Sequence, residues 1–156
     1  MAKQRLRILR GGRRLAFVER GRVHALDLRN QVGAARIEEA ELLFVTARRD
    51  FTYLLIDVCG ASRDRPDDRQ CGAGRECDVV WVKLDRRWKV SEARSELYES
   101  CWAPVTSDDG PKIDDQRLLL KLDNLREWVS KEVGYDADRP EEGLTFKFFA
   151  IPKNSP

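Results

Sequence analysis

Residues 51–59 read FTYLLIDVC and residues 78–84 read DVVWVKL, and these two apolar stretches decide the fold class. Both are short, rich in β-branched and aromatic residues, and followed by turn-forming or charged residues, which is typical of β-strands. The apolar run 41–46 precedes the first stretch and is separated from it by the charged turn Arg48-Arg49-Asp50. The runs 41–46 and 51–59 therefore predict a central β-hairpin.

Further strands are predicted on both sides of this hairpin. Near the N-terminus, alternating side chains and the turn residues Gly11-Gly12 and Arg20-Gly21 predict three short antiparallel strands within residues 5–28. Later in the chain, residues 88–101 and 144–151 show strand-like composition. Residues 60–76 are rich in Gly, Asp, Arg and Ser, so we expect a long exposed loop there.

Two segments have more than one interpretation. Residues 114–134 fit a helix capped by Asp114 or Asp115, but they also fit two strands, 117–122 and 127–133, around the turn Asp123-Asn124. The strand-rich context favours two strands, with one helix over residues 115–133 as the alternative. Residues 30–40 fit either a helical turn or a connecting loop. We predict a single, mainly β domain over residues 1–156, antiparallel and sandwich-like or barrel-like.

Composition indicates a globular protein of the cytoplasm. The chain has 156 residues, of which 42% are hydrophobic, enough to form a core. Arginines interrupt the first 25 residues, and the chain lacks an apolar run of 18 residues, so we expect neither a leader nor a membrane span. In a reducing compartment the four cysteines are expected to be reduced thiols.

The net charge of +2 conceals a strong asymmetry along the chain. Residues 1–36 contain ten Lys and Arg against two acidic residues, whereas residues 37–156 contain nineteen against twenty-five. The N-terminal segment and the rest of the chain should therefore attract partners of opposite charge.

The sequence lacks the usual combinations of catalytic residues. Its one histidine, His24, lies in a predicted strand with no cysteine or serine motif nearby, and no G-x-S-x-G motif is present. The adjacent carboxylates in the sequence fall in predicted loops, where solvated charge is the simpler interpretation. We therefore expect no enzymatic activity and no catalytic residue.

The cysteines and glycines do not form a recognisable cofactor motif. The closest pair, Cys71 and Cys77, has five intervening residues, unlike the tight C-x2-C knuckle of structural zinc sites. Reduced cysteines are favoured over zinc, and a Cys71–Cys77 disulfide is a further alternative. The segment Cys71-Gly72-Ala73-Gly74 lacks the pattern of a phosphate-binding loop. We expect neither a metal nor a cofactor.

Two resemblances bear on function. The stretch CGAGRE at 71–76, followed by Trp81, Lys83-Leu84-Asp85 and Glu99-Ser100-Cys101, resembles small uncharacterised bacterial proteins. In size, strand content and lack of catalytic residues the chain resembles immunity proteins of bacterial contact-dependent inhibition and related toxin systems. This resemblance implies a cytoplasmic protein that binds and neutralises a toxin, without assigning roles to residues.

Acidic loops supply the physical basis for this hypothesis. Nuclease toxins carry basic clefts, and acidic loops can enter such a cleft in place of phosphates. The expected partner is therefore a cognate toxin, with the oligomeric state left open. The alternative partner is nucleic acid bound by the N-terminal arginines. The predicted partner-binding residues are Asp64, Asp67, Asp68, Asp108, Asp109, Asp114, Asp115, Asp136 and Asp138, with Trp102 and Tyr135 as aromatic anchors.

Overall fold

Three antiparallel β-sheets make up the computed structural model, which describes residues 4–151. The N-terminal sheet contains β1 (Arg5–Ile8), β2 (Leu15–Glu19) and β3 (Arg22–Leu26). The central sheet contains β4 (Arg36–Ala47), β5 (Thr52–Ala61), β6 (Arg75–Leu84) and β7 (Val90–Glu99). The C-terminal sheet contains β8 (Val105–Thr106), β9 (Lys112–Asp114), β10 (Arg117–Asn124), β11 (Val129–Asp136) and β12 (Thr145–Ala150). The prediction of a mainly β, antiparallel, sandwich-like fold is confirmed.

The central sheet is buried on both faces. Along β5, Leu54, Ile56 and Val58 pack in one hydrophobic cluster with residues of the N-terminal sheet. Tyr53 and Leu55 point the other way and pack with residues of the C-terminal sheet. Burial on both faces explains why this strand is a nearly continuous apolar run, since neither set of alternate positions meets water. The three sheets therefore form three layers with two cores.

Each outer sheet contributes one apolar face to these cores. In the N-terminal sheet Leu15 and Phe17 of β2 lie opposite Leu26 and His24 of β3 and face the central sheet. In the C-terminal sheet Leu118, Leu120 and Leu122 of β10 are buried at every second position. Alternation of this kind is the signature of a sheet that buries a single face.

Residues 114–134 form two strands, as the context predicted, and not a helix. The turn between them lies later than predicted, because β10 continues to Asn124 and β11 begins at Val129. The Asn124 side-chain oxygen accepts hydrogen bonds from the backbone N–H groups of Arg126 and Glu127 at 3.1 and 3.2 Å, which fixes the turn after Asn124. Residues 30–35 are irregular, and β4 begins at Arg36.

Helical structure in residues 4–151 is limited to two three-residue 3-10 turns, Arg10–Gly12 and Pro140–Glu142. Among these residues we find no helix with the length and hydropathy needed to cross a membrane.

Candidate partner-binding surface

The structure brings four of the predicted aspartates to one end of the C-terminal sheet. Asp114 closes β9 and pairs with Arg117, which pairs on its other side with Asp136 of β11. Asp115 lies in the β9–β10 turn with a φ of 52°, a left-handed conformation that aspartate tolerates better than most residues. The backbone N–H of Ala137 donates to the Gln116 carbonyl at 2.7 Å, which holds Asp138 beside the same turn.

Basic residues only partly neutralise this end. Arg117 approaches the Asp136 carboxylate at 3.9 Å, and Arg48 forms an ion pair with Glu141 at 2.7 Å. Hydrogen bonds from the Glu141 backbone and from Arg48 hold the pKa of Glu141 below its ordinary value. At this end of the C-terminal sheet, Asp114, Asp115 and Asp138 form no ion pair with another described residue.

The 107–111 loop extends this acidic surface along the side of the sheet. The Ser107 hydroxyl donates to the Lys121 carbonyl at 2.8 Å, which ties the loop to β10. Asp108 and Asp109 line a groove of about 300 Å³ beside β10, and Lys112 pairs with Asp109 at 3.0 Å. We call these six aspartates the acidic edge: Asp108, Asp109, Asp114, Asp115, Asp136 and Asp138.

The remaining predicted aspartates lie at the opposite end of the molecule. Asp64, Asp67 and Asp68 belong to the loop that follows β5, and Trp102 contacts the same loop by donating to the Arg63 carbonyl at 2.8 Å. Residues 102–104 lead into β8, which pairs with β10 at Asn124. Asp114 and Asp136 pair with Arg117, which lies seven residues from Asn124 along β10, or about 23 Å. One partner surface therefore does not include all the predicted loops.

The 62–74 loop also differs in charge from the acidic edge. Arg63, Arg65 and Arg69 alternate with its aspartates, so the loop is close to neutral. The Arg65 guanidinium lies 4.0 Å from the centre of the Trp102 ring, where it covers the aromatic face.

The prediction that Tyr135 anchors a partner is wrong. Its side chain is 3% exposed and packs in the core between the central and C-terminal sheets, with its ring 5.8 Å from that of Phe44. Burial raises the pKa of its hydroxyl. Tyr135 lies two residues after the buried Val133, and the two-residue period of a strand directs both side chains inward.

The expectation of four reduced cysteines is also wrong, because the structure contains two disulfides. Cys59 and Cys77 are directly opposite in β5 and β6, with Cα atoms 4.2 Å apart. Cys71 joins Cys101, whose Cα atom is 5.8 Å away, and this bond ties the 62–74 loop to the segment after β7. The alternative Cys71–Cys77 pairing is therefore wrong as well. The sequence spacing gave no sign of either bond, since both pairings depend on strand register and loop path.

The single histidine is part of a packing contact. His24 lies in β3, and its ring stacks on Trp88 with 5.0 Å between ring centres and 19° between planes. Its buried Nε2 has no hydrogen-bond partner in the described residues. Across residues 4–151 we find no group of three His, Cys, Asp or Glu side chains arranged to hold a metal ion.

A second charged surface lies on the N-terminal sheet, on the far side of the central sheet. Arg5 and Arg7 of β1 are exposed, and they face Val18 and Ala16 of β2. Four arginines, Arg13, Arg14, Arg29 and Arg63, line a cavity of about 330 Å³ next to this sheet. Within the described part of the chain, six arginines of this region form no ion pair: Arg5, Arg7, Arg10, Arg13, Arg14 and Arg22.

Comparison with known proteins adds no assignment to these surfaces. The chain matches no protein-family model, no curated protein and no solved structure.

Proposed function

We propose that the protein acts by binding a basic protein partner at the acidic edge, in the manner of an immunity protein that neutralises a bacterial toxin. The observation that carries this proposal is that carboxylates without ion pairs converge at one end of the C-terminal sheet. Asp114, Asp115 and Asp138 lie together without an ion pair to any described residue, and Asp136 has only the distant contact with Arg117 at 3.9 Å. The function is therefore recognition, with no chemical step assigned to the chain.

The physical basis is electrostatic complementarity. A toxin that cleaves nucleic acid needs a cationic cleft, and a row of carboxylates on a fixed strand edge can occupy that cleft in place of phosphates. Such an arrangement increases the association rate and disfavours neutral or acidic partners. The backbone pairings of β9, β10 and β11 hold the acidic edge in place, so little ordering entropy is lost on binding.

The resemblance of the chain to immunity proteins supports the toxin as the class of partner. The direct test is to identify any toxic C-terminal domain encoded beside this gene and to coexpress it with the chain. The proposal expects the chain to restore growth and to form a complex that weakens as salt rises. Absence of rescue by the wild-type chain, or absence of any toxic neighbour, would contradict it.

A matched pair of variants tests the site itself. Changing Asp114, Asp115, Asp136 and Asp138 to Lys should abolish rescue and slow association at least tenfold, because the steering field is reversed. The control reverses Asp64, Asp67 and Asp68 at the opposite end and should leave both unchanged. If the control loses rescue and the acidic-edge variant retains it, the partner binds elsewhere.

The cytoplasm remains the proposed place of action, since an internalised toxin must be met there. The two disulfides weigh against this location, because disulfides usually persist in oxidising compartments. Thiol trapping in intact cells separates the two possibilities. Four alkylated cysteines support the cytoplasm, and four protected cysteines place the protein in an oxidising compartment.

The second candidate function is nucleic-acid binding by the N-terminal sheet, which the six arginines without ion pairs favour. Phosphate contacts by arginine release counterions, so affinity should fall steeply between low and physiological salt. Changing Arg5, Arg7, Arg13 and Arg14 to Ala should reduce both the affinity and the salt dependence. Negligible binding of mixed RNA and DNA at low salt would remove this candidate.

A further inference from the structure

Strand β12 is an exposed and unpaired edge of the C-terminal sheet. It pairs with β11 on one side, and no strand within residues 4–151 pairs with its other side. All six of its residues are exposed, including the rings of Phe146, Phe148 and Phe149 at 42%, 65% and 49%. Free edges usually carry several charges, a proline or a bulge that prevents association, whereas β12 has Lys147 alone.

The backbone orientation of β12 follows from its pairing with β11. Ile151 donates its N–H to the Trp128 carbonyl at 3.0 Å, so its backbone groups point toward β11. The register is unbroken between the pairs Val129–Ala150 and Gly134–Thr145. In an antiparallel pair successive residues alternate between pointing toward and away from their partner strand. The residues with backbone groups directed to the free side are therefore Phe146, Phe148 and Ala150.

We propose that β12 pairs antiparallel with β12 of a second copy of this chain, with the two-fold axis at Phe148. In this register Phe148 lies opposite Phe148 of the second copy, and Phe146 lies opposite Ala150. Each of these pairs joins residues whose N–H and C=O groups point outward, so each exchanges two hydrogen bonds. The strand edge is thus complementary to itself.

The neighbouring symmetric register is disfavoured. An axis at Lys147 would place two lysines directly opposite each other, which destabilises a strand pair. It would also leave the outward groups of Ala150 without a partner within β12. Charge and hydrogen bonding therefore favour the register centred on Phe148 over the register centred on Lys147.

Side chains on both faces support the same register. On the inner face Phe146 and Phe148 already pack together, with ring centres 6.5 Å apart, and the rings of the second copy extend this row. On the outer face Lys147 lies opposite Phe149 of the second copy, close enough for a cation–π contact.

The available area sets the strength of association. An aromatic ring buries 150–250 Å², so three half-exposed rings offer roughly 300 Å² per copy. The area that both copies bury together is smaller than that of a standard stable interface. We therefore expect a dimer that dissociates on dilution. The proposed pairing uses only the free side of β12, whereas Asp114, Asp115, Asp136 and Asp138 lie at the ends of β9 and β11 and in the segments that follow them, so dimerisation does not use the residues of the proposed toxin site.

The first experiment measures association of the full chain by sedimentation equilibrium over a range of concentrations. Wild type should shift from monomer to dimer, and Phe148→Lys should raise the dissociation constant at least tenfold. The matched control is Ile113→Lys, which changes a 47% exposed residue of β9 and should leave the dissociation constant unchanged. Circular dichroism checks that both variants fold. A wild-type chain that is monomeric at every concentration would overturn the proposal.

A second experiment tests the register without weakening the edge. The native cysteines are all in disulfides, so an introduced cysteine is the free thiol of the chain. The proposed register places residue 147 opposite residue 149, about 4.5 Å apart at Cα, whereas two copies of residue 147 are about 7 Å apart. A mixture of Lys147→Cys and Phe149→Cys should therefore crosslink faster than either variant alone. Equal crosslinking rates for the mixture and the single variants would overturn the pairing with a second copy. The same conclusion would follow if the amide groups of β12 became protected from exchange only when a different protein is added.

Discussion

The carboxylate of Asp78 accepts a hydrogen bond from the backbone N–H of Gly33 at 2.8 Å and so anchors the 27–35 connection to the central sheet. Asp78 is 3% exposed and lies in β6 near the buried Glu76. Burial raises the pKa of Asp78 to about 6; the Gly33 hydrogen bond opposes this shift, and the charge of Glu76 adds to it. A buried aspartate with so few donors is a source of pH-dependent stability.

Stability should fall as pH rises through the range from about 4 to 6. The folded chain binds a proton on Asp78 in this window while the unfolded chain has released it, so protonation favours the folded state. The rise in the pKa of Asp78 corresponds to a loss of about 3 kcal/mol in the free energy of unfolding between low and neutral pH. Asp78→Asn keeps an acceptor for Gly33 and removes the charge, so it should stabilise the protein at pH 7 by about 1 to 2 kcal/mol and flatten the pH dependence. Urea unfolding at pH 4.5 and pH 7 measures both effects. An unchanged pH slope in Asp78→Asn would assign the dependence to another group.

Much of the fold could be predicted because burial leaves a period of two in the sequence. Leu118, Leu120 and Leu122 are buried at alternate positions because β10 buries one face, but it was the strand-rich context of the chain that favoured strands over a helix there. The position of the turn between β10 and β11 was harder to predict, because it depends on the hydrogen bond that the Asn124 side chain accepts from the backbone N–H of Arg126. The extension of β4 back to Arg36 was also missed, because its first residues are polar and mostly exposed.

The candidate site was predicted less completely, because it depends on contacts between distant residues. The sequence indicated which loops are acidic but not that β9 and β11 bring Asp114 and Asp136 to the same end of β10. It also gave no means of deciding that Tyr135 points inward. A shift of one residue in strand phase moves a side chain from surface to core, and sequence composition does not fix that phase.

The Cys71–Cys101 disulfide should control the order of the 62–74 loop. It closes a 30-residue separation, for which chain entropy predicts about 3 to 4 kcal/mol of stabilisation. In Cys71→Ser/Cys101→Ser we expect that loss of stability together with rapid trypsin cleavage at the arginines of the loop. Limited proteolysis followed by mass spectrometry locates the cuts.

The matched control removes the other disulfide. Cys59→Ala/Cys77→Ala opens a bond between neighbouring paired strands, with a separation of 18 residues, and should cost about 3 kcal/mol by the same reasoning. Because β5 and β6 stay paired, the loop should remain resistant to trypsin. Similar cleavage in both double variants would mean that Cys71–Cys101 has no special role in ordering the loop.

Lys131 and Glu96 form a mostly buried ion pair between β11 and β7, with 2.6 Å between Nζ and Oε1. Lys131→Met leaves the Glu96 carboxylate without its cation, and we expect a loss of about 2 kcal/mol in the free energy of unfolding. The double variant Lys131→Met/Glu96→Gln removes the isolated charge and should recover at least half of that loss. Urea unfolding of the wild type, of the single variants Lys131→Met and Glu96→Gln, and of the double variant gives the coupling energy. Additive losses would show that the two side chains do not interact.

Gly60 is required by the close approach of β4 to β5. A Cβ atom built at this position lies 1.9 Å from the Arg36 carbonyl oxygen and 2.9 Å from the Ala34 side chain. Because backbone atoms cannot move aside as a flexible side chain can, Gly60→Ala should separate the start of β4 from the end of β5 and cost about 3 kcal/mol. Gly72→Ala is the matched control, since its added Cβ meets the Arg69 carbonyl oxygen at an ordinary 3.5 Å, and its stability should stay within about 0.5 kcal/mol of wild type. Amide exchange at Ile37 and Ala61 reports the separation directly, and full protection there in Gly60→Ala would contradict the predicted clash.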